Sequence, residues 1–141
     1  MSNALVPEFA VFDWRRSKFF YCEVLGFECS YERPEEGFCY LKLGDAELMI
    51  DQIGEGRTFD DGHLPDSHPF EKGLNIQIRV RSIEPLVKAL RQNHHPLYLP
   101  VEDRWYRVGD QEGGNRQFVV ADPDGYLLRF YQSFGSRPAP T

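Results

Sequence analysis

Cysteine is scarce in this chain of 141 residues: only Cys22, Cys29 and Cys39, an odd number with no CxxC pair. That argues against a disulfide framework and against a structural zinc site, and reduced thiols in a cytoplasm are expected. Basic charge is also short, the formal balance being −6 at pH 7. A nucleic-acid binder needs a basic footprint, so nucleic acid is not an expected partner, and the sign favours a cationic ligand instead. No apolar run approaches the roughly 20 residues of a membrane span, so no membrane partner is expected. The opening Met-Ser-Asn-Ala lacks the basic and apolar regions of a signal peptide. There is no GxSxG elbow and no P-loop. Gly113-Gly114 after Gly109 is too short a pattern for a nucleotide site.

What is abundant is aromatic: 14% of residues, within an ordinary 41% hydrophobic and 27% charged composition. Aromatics supply core volume, and their polar edges also suit ligand walls. The length suits one domain, expected over 1–135 with a disordered end from Gly135 to Thr141. Leu5 to Phe12 reads as a strand, Asp13 as a helix N-cap, and Trp14, Phe20, Tyr21 and Val24 as one helical face stopped by Gly26. Strands follow at Phe27 to Tyr31, at Phe38, Tyr40 and Leu43, and at Leu48 to Ile53, with Gly44-Asp45 as a hairpin turn. This first half (5–53) precedes a long loop, 54–72, rich in Gly, Pro and acids.

The second half (73–133) repeats the order. Leu74 to Val80 alternates Ile76, Ile78 and Val80 with Asn75, Gln77 and Arg79, one apolar and one polar face. Ser82 is the expected cap of a helix whose Ile83, Leu86, Val87 and Leu90 share a stripe. Strands are expected at Leu97 to Leu99, Trp105 to Val108, Gln117 to Ala121 and Leu127 to Gln132, broken by Gly113-Gly114 and by Asp122-Pro123-Asp124-Gly125. The order β-α-β-β-β twice is an α+β fold with helices on one face of each sheet. The polar faces would line a cleft.

Two segments resemble a known family. Val11 to Tyr21, ending in Leu25-Gly26-Phe27, resembles the first helix of glyoxalase and bleomycin-resistance proteins, and Asp122 to Phe130 resembles their last hairpin. The resemblance implies the vicinal oxygen chelate fold: two βαβββ modules forming a curved mixed sheet around a cleft, often completed by a homodimer. Enzymes of this superfamily bind a divalent metal through four side chains. Carried onto this sequence, those positions are Val6, Asp51, Asn75 and Arg129. Val6 has no lone pair, and Arg129 brings a permanent positive charge. No metal and no cofactor are therefore expected at that quartet. An Arg129–Asp51 pair is an expected substitute.

Without the metal, the resemblance implies a cytoplasmic binding protein of the bleomycin-resistance type, holding bleomycin or a similar cationic antibiotic at a homodimer cleft. Candidate walls are Trp105, Tyr106, Tyr40 and Phe38. Asn75 and Gln77 supply hydrogen bonds, Asp51, Glu8, Asp60 and Asp61 the negative field, Arg129 the cleft floor, and Phe59 a lid. Each has a plainer reading in core, loop or dimer packing. Two alternatives stand: an enzyme of the superfamily (lyase, dioxygenase or transferase) with a non-standard or displaced metal site, or a member that binds a metabolite or a protein. His63, Asp66 and His68 in the long loop are a loop-metal candidate that no structural element is expected to fix.

Overall fold

A computed structural model describes residues 3–55, 64, 66–70 and 72–141. The chain divides into two units, Met1–Leu74 with Ala121–Tyr126, and Asn75–Val120 with Leu127–Thr141. Phe59, Asp60, Asp61 and His63 lie outside the described residues.

The first unit contains β1 (Glu8–Val11), α1 (Trp14–Lys18, continuing as a π-helical stretch Phe19–Val24), β2 (Glu28–Arg33), β3 (Phe38–Leu43) and β4 (Ala46–Gln52). Its sheet runs β1-β4-β3-β2, with β1 parallel to β4 and the other pairs antiparallel. Asp13 caps α1 as expected: its Oδ1 accepts from the Arg15 and Arg16 amides at 3.1 and 3.3 Å. The wider π turns bring Phe20, Tyr21 and Val24 inward. Leu25 N–H bonds to Phe20 O at 3.0 Å, and Gly26, at φ 84°, ends the helix where a side chain would be strained. Alternate residues Phe9, Val11, Leu41, Leu48 and Ile50 are buried core.

The Asp122-Pro123-Asp124-Gly125 turn belongs to this first unit and is tied into it by buried carboxylates. Asp122 accepts from Tyr21 Oη at 2.7 Å and from the Asp124 and Tyr126 amides, both at 2.9 Å. Burial pushes the Asp122 carboxyl up to about 6 and the Tyr21 hydroxyl well above its ordinary value. Asp124 accepts from the Phe12 amide at 3.1 Å, and Ser17 Oγ lies 3.4 Å from its other oxygen. Tyr126 stacks on Phe9 at 4.2 Å between ring centroids and donates to Ala10 O at 2.8 Å. His68 is held after all: its Nε2 is 2.8 Å from Asp124 Oδ1, and Phe70 N–H bonds to Asp124 O.

The second unit contains β5 (Asn75–Arg79), α2 (Glu84–Gln92), β6 (Leu99–Val108), β7 (Gln111–Ala121) and β8 (Leu127–Pro138), in the sheet order β5-β8-β7-β6. Again the first strand is parallel to the last. Four expectations need correction. The cap residue of α2 is Ile83, not Ser82, although Ser82 Oγ still accepts from the Glu84 amide at 3.4 Å and Gln132 Oε1 takes the Ile83 amide at 2.8 Å. The two short strands at 97–99 and 105–108 are one strand, β6. Gly113-Gly114 does not break a strand: β7 runs through it, because the Phe134 ring fills the space a Gly114 side chain would take. The tail is no loose end either, since β8 extends to Pro138 and Ala139 N–H bonds to Asp110 O at 2.9 Å. No helix among the described residues is long and apolar enough to cross a membrane.

Candidate functional site

A groove of about 290 Å³ opens on the second unit's sheet, on the face away from the buried Ile78, Leu128 and Phe130. Strand alternation builds it. Gln117 on β7 faces Glu102 on β6, and on the same face Arg104 and Tyr106 stand opposite Asn115 and Gly113. Across the sheet, Asn75 is in register with Leu127, and Gln77 with Arg129. Tyr98, Leu99 and Val119 complete the apolar part of the lining.

Its polar groups are only partly satisfied. Gln117 Nε2 donates to Glu102 Oε1 at 3.0 Å and to Tyr106 Oη at 2.6 Å. Gln117 Oε1 and Arg129 Nε are buried and have no hydrogen-bond partner among the described residues. Such atoms are costly, at ~1–3 kcal/mol each, and in native proteins they call for a functional or solvent explanation.

The candidate residues divide between the two units. Asn75, Tyr106 and Arg129 line the groove. Gln77, exposed beside Arg129, shares the face without lining it. Trp105 is on the other face: it meets Phe134 edge-on at 5.2 Å, and the Arg137 guanidinium sits 3.9 Å from its ring centre. Neighbouring residues of a strand point to opposite faces, so Trp105 and Tyr106 form different walls. Gln117, Glu102, Arg104 and Tyr98 were missed. The period-2 series Glu102, Arg104, Tyr106 was a usable signal, but the partner Gln117 depends on a register that the irregularity between Leu99 and Glu102 hides.

Phe38, Tyr40, Asp51 and Glu8 gather in the first unit, on the sheet face away from its helix. The register gives two cross-strand rows, Glu8–Met49–Tyr40–Tyr31 and Ala10–Asp51–Phe38–Arg33. Tyr31 stacks on Tyr40 at 5.1 Å, Arg33 lies 4.0 Å above the Phe38 ring, and Tyr40 donates to Glu47. Burial, then the nearby Glu8 and Glu36 carboxylates, raise Asp51 to about 6, with Arg33 opposing.

The quartet Val6, Asp51, Asn75 and Arg129 does not fit a divalent metal. One member has no donor side chain, one is a permanently charged guanidinium, and only Asp51 is a carboxylate. No group of three His, Cys, Asp or Glu among the described residues is arranged to hold a metal.

Comparison with known proteins agrees with the fold. The sequence pattern of the Glyoxalase/Bleomycin resistance protein/Dioxygenase superfamily matches residues 5–130. A bleomycin resistance protein from Geobacillus stearothermophilus is 27% identical over 138 residues, covering 93% of this chain and 97% of the relative. A superfamily member of known structure from Vibrio splendidus is 37% identical, covering 92% and 97%, with a TM-score of 0.39. A virulence protein from Salmonella typhimurium shares the fold at TM-score 0.66 and 17% identity, covering 94% and 97%. The chain belongs to the glyoxalase/bleomycin resistance protein/dioxygenase superfamily.

Proposed function

We propose that the protein is a metal-independent small-molecule binder of the bleomycin-resistance type that sequesters an antibiotic or a similar compound as a homodimer. The carrying observation is the groove of the second unit, two of whose lining residues, Gln117 and Arg129, each keep one buried polar atom, Oε1 and Nε, without a partner among the described residues. A ligand supplying one donor and one acceptor would satisfy both. The likeness to proteins named for bleomycin resistance supports the ligand class. The acid-rich face around Asp51, with Glu8 and Glu36, supports a cationic part in that ligand.

Calorimetric titration of chelator-treated protein with metal-free and copper-loaded bleomycin tests this, with nickel and zinc salts alone as controls. Saturable drug binding, a melting temperature that rises with drug concentration, and silent metal controls are expected. Tight metal uptake without drug binding would overturn it. The homodimer has its own readout: a monomer in sedimentation at micromolar concentration would remove it.

The raised Asp51 favours a second reading, an enzyme of the same superfamily with Asp51 as its proton-transfer group, because a carboxyl near 6 can exchange protons at neutral pH.

A further inference from the structure

The groove's chemistry narrows the ligand. This step rests on the small-molecule reading above and concerns only the part of the ligand seated in the second unit. The orientation of the Gln117 amide is fixed by its neighbours. Its NH₂ group donates to the Glu102 carboxylate and to the Tyr106 hydroxyl. Turning the amide over would set its carbonyl oxygen against the Glu102 carboxylate, which is repulsive. Oε1 therefore stays out of that network and requires a donor. Arg129 Nε, on the neighbouring strand β8, can only donate and requires an acceptor. The charges of the lining point the same way: two arginines, Arg104 and Arg129, against the single Glu102, whose Oε1 is already engaged by Gln117. Around these groups lie Tyr98, Tyr106 and the aliphatic Leu99, Val119 and Leu127, surfaces suited to a flat ring. The volume, about 290 Å³, sits at the small end of the ~300–1,000 Å³ range of ligand pockets, enough for a compact bicycle rather than a whole glycopeptide.

We propose that this groove binds a planar aromatic carboxylate with an N–H or O–H donor beside the carboxylate; small shifts of the lining Arg129 and Gln117 side chains, whose Nε and Oε1 are otherwise buried, let the carboxylate meet the guanidinium and the adjacent donor meet Oε1. An antibiotic held by this protein then presents an oxyanion-bearing ring to the second unit, whatever cationic groups it carries elsewhere. A carboxylate on a guanidinium is the stronger, charge-assisted form of the contact, and the buried setting strengthens it further.

A matched set of probes tests the assignment: indole-2-carboxylate, its N-methyl derivative, indole-2-carboxamide and 2-(aminomethyl)indole. Binding is read from amide shifts of Asn75, Gln117, Leu127 and Arg129 in ¹H–¹⁵N NMR titrations of the full chain. Indole-2-carboxylate should bind about tenfold more tightly than the amide or the amine, and several-fold more tightly than the N-methyl compound. Arg129→Gln should erase the preference for carboxylate over amide. Tyr98→Ala, at an exposed site that threatens no core, should weaken all four probes alike. The proposal is overturned if the amine binds as well as the carboxylate, if the ranking survives in a natively folded Arg129→Gln, or if no probe moves the groove amides. If Arg129→Gln does not fold, the ranking on the native chain still decides. Bleomycin titration is a separate readout: a flat probe ranking with tight drug binding sinks this assignment alone, and a clear ranking with no drug binding sinks only the antibiotic.

Discussion

The two units follow one plan and finish their open sheet faces differently. In each, a helix follows the first strand of a four-stranded mixed sheet, and that first strand runs parallel to the last in sequence. On the other face of the first sheet, the aromatics and carboxylates find one another: Tyr31 on Tyr40, Arg33 on Phe38, Tyr40 to Glu47. On the second sheet the corresponding face keeps a groove and two buried polar atoms unpaired among the described residues. A fold that repeats its backbone thus need not repeat its chemistry, and the unsatisfied half is the better place to look for a ligand.

The greatest effect is expected where the first unit is most tightly satisfied. Asp122→Ala would leave the Tyr21 hydroxyl and the Asp124 and Tyr126 amides without their acceptor. With ~1–3 kcal/mol for each buried donor left unpaired, and partial relaxation, a loss of about 3–4 kcal/mol follows. Denaturant unfolding measures it. A loss below about 1 kcal/mol would mean that the turn is not the anchor its hydrogen bonds describe, and the contrast between a closed first unit and an open second one would fail.

How much of this was legible in the sequence depends on which periodicity a residue obeys. The Asp13 cap, the Gly26 stop and the alternation of Asn75, Ile76, Gln77 and Ile78 are local signals, and the structure follows them. Arg129 and Asn75 were found through the resemblance, and they do share the groove. Apart from the α2 cap, which falls on Ile83 rather than Ser82, what failed was non-local. Gly113-Gly114 reads as a break until Phe134, twenty residues on, is seen to occupy the missing side-chain space. Gly135 and Pro138 read as tail, yet β8 runs on to Pro138 and Ala139 N–H bonds to Asp110 O. Gln117 shows no sign of function by itself. It becomes a site residue only through its register with Glu102, and register is set by the turn and the irregularity, not by residue type.

Asp51 sharpens the comparison through pH. Its folded-state value of about 6 stands above an ordinary carboxyl near 4, so the folded chain binds the proton more strongly than the unfolded one. The associated stability is fully present below about pH 4 and is lost as pH rises through about 6. Asp51→Asn keeps the shape and removes the charge. The variant should match the original protein at pH 4 and exceed it at pH 7 by roughly 1–2 kcal/mol, a figure reduced for remaining contact with water. Equal stability at pH 7 would show that the Asp51 charge is already compensated, and the face would be as satisfied electrostatically as it is sterically.

The smallest effect tests the back of the second sheet. A Cβ on Gly114 would lie 2.6 Å from Cε2 of the Phe134 ring and within 3.1 Å of two more of its atoms. No real contact is that short, so Gly114→Ala must push the ring aside. Phe134 is 41% exposed and has somewhere to go, which holds the expected loss to about 1 kcal/mol, the lower end of overpacking costs. The displaced ring would also leave Trp105, whose edge it meets at 5.2 Å. Trp105 fluorescence should therefore change in Gly114→Ala, while binding of an indole carboxylate in the groove on the opposite face should not. If instead groove binding falls with Gly114→Ala and Trp105 emission is unmoved, the two faces of β6 have been assigned the wrong way round. Trp105, rather than Tyr106, would then belong to the ligand.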